Sequence, residues 1–170
     1  VFNANNDSVS VGDVVQVSGT VAEFQDQTQL SASVIEKCGT SQALPVVDVT
    51  LPVPPPVNGV PYLERFEGML IRLHQTLFVT EHFQLGRFGQ VVMSSGGRLP
   101  EPTHVALPGA AAQAQSLLNG LNRIIVDDEL NNQNPDPIRF GRSGSPLSAI
   151  NTLRGGDSAT DIVGVMTYTW

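Results

Sequence analysis

The stretch from position 72 to 98 clusters side-chain types that nucleic-acid contacts use, among them Arg72, His74, His82, Phe83, Arg87, Phe88 and Arg98. Glu81 is the only acid in that stretch. Proteins that hold single strands combine a cationic groove with ring faces on which bases stack. Arginine adds a planar fork that can reach two phosphate oxygens at once. The candidate contacts are therefore Arg72, Arg87 and Arg98 for phosphate, with Phe83 and Phe88 for bases. Arg87 and Phe88 stand between Gly86 and Gly89, which places them at a turn where side chains reach outward. The competing reading puts both rings in the core and makes the arginines ordinary surface charges.

Other constellations offer less chemistry. His74, His82 and His104 are the only histidines, and their spacing matches no zinc pattern. Asp127, Asp128 and Glu129 form the densest acidic run. Clustered carboxylates suit Ca²⁺ or Mg²⁺, but consecutive side chains on a strand point apart, so a solvated strand end is the simpler reading. Neither Ser143-Gly144-Ser145 nor Ser94-Ser95-Gly96-Gly97 is a nucleophile elbow, and Gly-rich turns explain both. Lys37 is the only lysine and stands in no phosphate-cradling loop. The single Cys38 permits no internal disulfide; it reads as a small buried group or as a half-cystine paired outside this sequence.

These candidates must be positioned by a chain of 170 residues, 41% hydrophobic and only 15% charged, with a net charge of −7. Such a composition builds a core. The acidic balance is opposite to that of proteins that grip duplex DNA through a basic face. No unbroken run of 18 apolar residues exists, so no membrane partner is expected. The opening residues have neither the basic start nor the apolar run of a signal peptide. With 16 Gly and 12 Pro, the chain suits short strands and many turns.

Period-two patterns predict an all-β fold. Residues 11–24 read as a strand with Val15, Val17, Gly19 and Val21 on one face, and Gly19 marks a bulge or bend. A turn at Gln25 and Asp26 leads to a second strand in which Leu30, Ala32 and Val34 alternate with Ser31, Ser33 and Ile35. Val47, Val49, Leu51 and Val53 alternate up to three consecutive prolines. Residues 51–61 read as the chief linker, or as a long loop within one domain. Further strands are expected at 65–73, 77–80, 90–94, 123–127 and 162–170. Residues 110–121 are the one short helix, with an apolar stripe of Ala110, Ala114, Leu117, Leu118 and Leu121. Residues 131–148 read as an exposed loop, held by few contacts over 142–148.

An approximate repeat adds to this. Gly12-Asp13 precedes Gly19 with five residues between, and Gly156-Asp157 precedes Gly164 with six between. A repeat about 145 residues apart implies two related modules. Gly19 and Gly164 are then expected at equivalent bends, where a Cβ would crowd a barrel interior. Only Val1-Phe2 precede the first copy, and the second runs out at Trp170, so the sequence reads as a window on a longer protein.

Four phrases carry a family resemblance: residues 12–24 (GDVVQVSGTVAEF), 66–73 (FEGMLIRL), 88–98 (FGQVVMSSGGR) and 123–128 (RIIVDD). In this order they resemble bacterial secreted endonucleases of the exonuclease–endonuclease–phosphatase class, over nearly the whole chain. There such phrases lie upstream of the catalytic domain, in regions similar to oligonucleotide-binding-fold barrels. The resemblance implies oligonucleotide-binding-type barrel modules: a partial first one at 1–50, the Pro-rich linker at 51–61, and a second at 62–170 that is incomplete at its C-terminal end. It implies a noncatalytic accessory region of an extracellular, DNA-degrading endonuclease. Its partners would be DNA and the catalytic nuclease domain of the same polypeptide. No catalytic residue and no cofactor fall on this chain, whereas the parent enzyme would use a divalent metal, Mg²⁺ or Ca²⁺. The rival from another class is a ligand-free structural spacer or docking module of a secreted protein, which the acidic balance favours.

Overall fold

Strands outweigh helices in the computed structural model, which describes residues 9–24, 27–40, 42–130 and 132–168. Contacts divide the chain into two units. The first holds the described residues up to Asp48, Leu63–Arg72, and those from Val163 onward; the second holds Val49–Tyr62 and Leu73–Ile162. Val1, Phe2 and Trp170 lie outside the described residues, as do Gln25 and Asp26 of the expected turn.

The first unit is dominated by a long antiparallel ribbon, β1 (Val14–Phe24) and β2 (Gln27–Gly39). Ser18 faces Val34 and Gly19 faces Ala32, which leaves Ser33 as an extra residue in the ladder. This is the bulge that Gly19 foretold. The Ser33 hydroxyl donates to the Ser18 carbonyl at 3.1 Å. Because side chains alternate with period two, the extra residue exchanges the faces beyond it. Leu30, Ala32 and Ile35 are consequently half-buried while Val34 is exposed, so the expected Leu30–Ala32–Val34 face holds only up to the bulge. At Gly19 the two backbones meet so closely that a Cβ would overlap the Ser31 carbonyl.

A three-stranded sheet completes this unit in the order β3 (Val47–Asp48), β4 (Leu70–Leu73), β9 (Ile162–Val165). β3 and β4 run parallel, with Val47 opposite Ile71. Residues 65–69, expected to begin the strand, instead end a 3-10 turn (Tyr62–Phe66) and bend back, with the Met69 N–H on the Phe66 carbonyl at 2.9 Å. Among the described residues of the first unit, Ile71 is the only buried hydrophobic.

The second unit carries the core. Four strands lie in the order β7 (Ile124–Asp127), β6 (Gln90–Ser95), β5 (Leu77–Glu81), β8 (Ser158–Ala159), antiparallel throughout. Leu77, Val79, Val91 and Met93 are buried in it together with Leu51, Val53, Leu73 and Leu85. Leu51 and Val53 belong to the stretch expected as a linker, and that whole stretch groups with this unit. Two side-chain amides act like missing strand neighbours. Gln75 accepts the Leu51 N–H at 2.6 Å and donates to the Leu51 carbonyl at 2.7 Å. Asn122 accepts from the Ser95 N–H at 3.2 Å and donates to the Ser95 carbonyl at 3.0 Å.

The helix expected at 110–121 is present as α3 (Ala110–Leu121), preceded by two single-turn helices, α1 (Leu85–Phe88) and α2 (Pro102–Val105). The apolar stripe faces the other way from expectation. Ala112 is the buried residue of α3, whereas Leu117 and Leu118 are 73% and 60% exposed. Among the described residues every sheet is open: no strand order returns to its first member. Among the described residues no helix is long and apolar enough to cross a membrane.

The repeat is real at one point and absent at another. In both copies the Asp N–H donates to the carbonyl three residues back at 3.0 Å, to Ser10 in one and Arg154 in the other. In both, the Asp carboxylate accepts the N–H of that same residue at 2.8 Å. The glycine between has φ +94° at Gly12 and +95° at Gly156, a conformation open to glycine. The strands that follow diverge. A Cβ at Gly164 would meet open space, unlike one at Gly19, so the two glycines are not equivalent.

Candidate nucleic-acid interface

Of the five candidate contacts, Arg72 belongs to the first unit and the other four to the second. Arg72 lies on β4, and its guanidinium is engaged on the Asp48 carboxylate, Nε to Oδ1 at 2.8 Å and Nη2 to Oδ2 at 3.3 Å. The parallel pairing of Asp48 with Arg72 puts the two side by side. Its charge is largely answered within the sheet.

Phe83, Arg87 and Phe88 surround α1. Gly86 and Gly89 had suggested a loop; the chain instead makes one helical turn that Gly89 closes with φ +66°. Phe83 projects from the bend before it and is 89% exposed, far from the core position of the competing reading. Arg87 lies over the Phe88 ring, its guanidinium carbon 5.2 Å from the ring centre, a cation–π contact. Arg87 Nη2 also donates to Gln133 Oε1 at 3.1 Å, and its carbonyl accepts the Asn134 N–H at 2.7 Å. Glu81, the one acid of the stretch, has Arg123 Nη1 3.7 Å from its carboxylate.

The acidic run borders α1. Asp127 accepts from Gln90 Nε2 at 2.8 Å and from the Glu129 N–H at 2.7 Å. Asp128, only 8% exposed, accepts the Leu130 N–H at 3.0 Å through Oδ1. Its Oδ2 is buried against Gly89 without a hydrogen-bond partner. These carboxylates serve their own backbone. Among the described residues no three His, Cys, Asp or Glu side chains are grouped to hold a metal ion. Cys38 is an exposed free thiol, not a buried one. His74 Nδ1 lies 2.6 Å from Asp161 Oδ1, a contact across 87 residues that no local pattern announced.

Arg98 stands beyond the opposite end of β6, whose six residues span about 20 Å at a strand's rise. Its backbone is held on both sides. The Ser94 hydroxyl donates to the Gly97 carbonyl at 2.8 Å, and the Leu99 N–H donates to Thr80 Oγ1 at 2.8 Å. The second Gly-Asp turn docks on the neighbouring residue of β5: Gly156 N–H to the Val79 carbonyl at 2.8 Å, and Val79 N–H to the Asp157 carbonyl at 2.8 Å. Adjacent residues of one strand therefore bring the two turns together. The Arg98 side chain lies against Gly155, where an added Cβ would come within 3.0 Å of the guanidinium carbon. The backbone of Arg154, one residue before Gly155, is therefore close to the Arg98 side chain. Among the described residues neither arginine makes an ion pair. Arg154 was not among the sequence candidates because it lies 56 residues from Arg98.

The residues after 141 are also tied down more than expected. Asn151 accepts the Arg142 N–H at 2.9 Å and donates to the Pro146 carbonyl at 3.2 Å, and the Leu147 N–H reaches the Ile138 carbonyl at 2.8 Å. No protein-family model, curated protein or solved structure matches the chain.

Proposed function

We propose that this chain is a noncatalytic accessory region of a secreted, DNA-degrading endonuclease. In this reading it is built on oligonucleotide-binding-type modules, holds single-stranded DNA, and helps to position the catalytic domain of the same polypeptide outside the cell. The divalent metal, Mg²⁺ or Ca²⁺, belongs to that catalytic domain. The observation that carries the reading is the group at α1: a bare ring at Phe83 beside an arginine stacked on Phe88. Stacking platforms next to cations are what single-strand binders present. The four sequence phrases supply the parent class.

Two measurements test it. Arg87→Ala and Arg98→Ala are each expected to weaken binding of a labelled single-stranded oligonucleotide by about 1 kcal/mol at low salt, with the fold intact. Equal affinity for wild type and both variants removes the site. The purified chain is expected to leave plasmid DNA intact with Mg²⁺ and Ca²⁺ present. Metal-dependent cleavage that a chelator abolishes would overturn the noncatalytic assignment.

One observation favours the docking-module reading instead. Neither β1 nor β2 has a second strand neighbour among the described residues, and Val21 and Phe24 are more than half exposed on that ribbon. A two-stranded ribbon is marginal in water without something to pack on. Absence of oligonucleotide binding would leave this reading standing.

A further inference from the structure

Beside Arg98 the second unit has a groove of about 530 Å³. Its apolar walls are Pro52, Val53, Pro55 and Leu118, and Gly96, Gly97 and Arg98 line another part of it. Leu118 was part of the stripe expected to pack inward; instead it is 60% exposed and forms a wall. Gln115 also lines the groove. Its Nε2 donates to Asn119 Oδ1 at 2.9 Å, and among the described residues its Oε1 accepts nothing. The groove thus offers flat apolar walls, one free amide acceptor, and a guanidinium.

We propose that this groove is a mononucleotide slot of the single-strand path, an inference that rests on the DNA-holding reading above. The phosphate sits on Arg98, and the attached base enters between the prolines and Leu118. Charge decides between occupants. Among the described residues Arg98 carries no ion pair, and Asp157, the acid of the turn it packs against, already accepts the Arg154 N–H. Glu101, at the start of α2, is the nearest acid in sequence to Arg98 on its C-terminal side. An anionic group beside a flat, weakly polar ring meets both halves of the site; an uncharged proline-rich peptide would meet only the apolar half. The slot is also preorganised. Two anchored turns hold the backbone at Arg98 and Arg154, so little side-chain and loop ordering is needed on binding.

The test compares a labelled single-stranded oligothymidylate with an abasic phosphodiester chain of equal length, by fluorescence anisotropy at low salt. Wild type is expected to bind the oligothymidylate at least about fivefold more tightly, the lower end of what one accommodated base contributes. Leu118→Glu should lower that preference by about twofold or more, leaving the part that the rings at α1 contribute, and the exposure of Leu118 makes the change compatible with folding. Arg98→Ala should weaken both probes by a similar factor, whereas Arg139→Ala should change neither. If Leu118→Glu keeps the whole preference, the slot is wrong while the DNA-holding reading stands; if wild type binds both probes equally, base stacking fails at the slot and at α1 alike. If wild type binds neither probe, both fall. Binding of a proline-rich peptide that Leu118→Glu abolishes, with no preference between the two DNA probes, would assign the groove to a protein partner instead.

Discussion

Replacing Gly89 with alanine tests the packing that carries α1 and, with it, Arg87 and Phe88. Two physical terms are engaged. Gly89 has φ +66°, where a residue with a Cβ is strained by about 1 kcal/mol or more. In addition, a Cβ at this position would overlap the Asp128 carboxylate. Asp128 is 8% exposed, so it has little room to retreat. If it moves, the Leu130 N–H loses its acceptor, at about 1.5–2 kcal/mol for a bond to a charged group. Together the loss is about 3 kcal/mol, and the urea midpoint followed by far-UV circular dichroism should fall by about 1–2 M. A double-mutant cycle separates the terms. In an Asp128→Ala background the overlap is gone, so Gly89→Ala should lose only the backbone strain, leaving a coupling near 2 kcal/mol. A Gly89→Ala protein within about 0.5 kcal/mol of wild type, or an equal effect in both backgrounds, would refute the argument.

Other expectations follow from the same geometry. Hydrogen bonding from Lys37 first, then from the Ser10 N–H, holds the Asp13 carboxyl below its ordinary range. Its favourable contribution is therefore present above the unfolded-state value and lost as pH falls through the folded-state value. NMR titration of the Asp13 side chain should show a depressed midpoint that rises in Lys37→Met; an unchanged midpoint would contradict the pairing. Gln75→Ala strands the N–H of buried Leu51, whose carbonyl keeps the Ser95 hydroxyl as donor, and should destabilise by about 1–3 kcal/mol, measured by urea unfolding. Gly19→Ala should disrupt the ribbon, whereas Gly164→Ala should stay within about 0.5 kcal/mol, because only the first Cβ meets backbone. Equal effects of the two would restore the equivalence of these glycines.

Local patterns in the sequence revealed local structure well. The ends of α3, the ribbon of β1 and β2, its bulge near Gly19, and the central strand β6 all follow from period and glycine placement. Two kinds of feature escaped. One is direction: the α3 stripe of Leu117 and Leu118 reads as a buried face, yet periodicity reports that a face is apolar and not what lies opposite it. The other is long-range pairing. The amide clamp of Gln75 on Leu51, the His74–Asp161 contact and the approach of Gly155 to Arg98 join residues 24 to 87 apart, and nothing in the intervening spacing encodes them. The candidate site divides the same way. Phe83, Arg87 and Phe88 were visible as a turn-borne group, and Arg72 looked equivalent because its partner Asp48 stands on another strand.

The claim that this chain holds single-stranded DNA is tested most directly by the salt dependence of its binding to a labelled single-stranded oligonucleotide. With Arg87 and Arg98 as the two phosphate contacts, each would release counterions worth about −0.7 in the slope of log affinity against log salt. The account expects saturable binding at low salt with a slope of about −1.4. Saturation that is missing at low salt, or an affinity that does not change with salt, would contradict it.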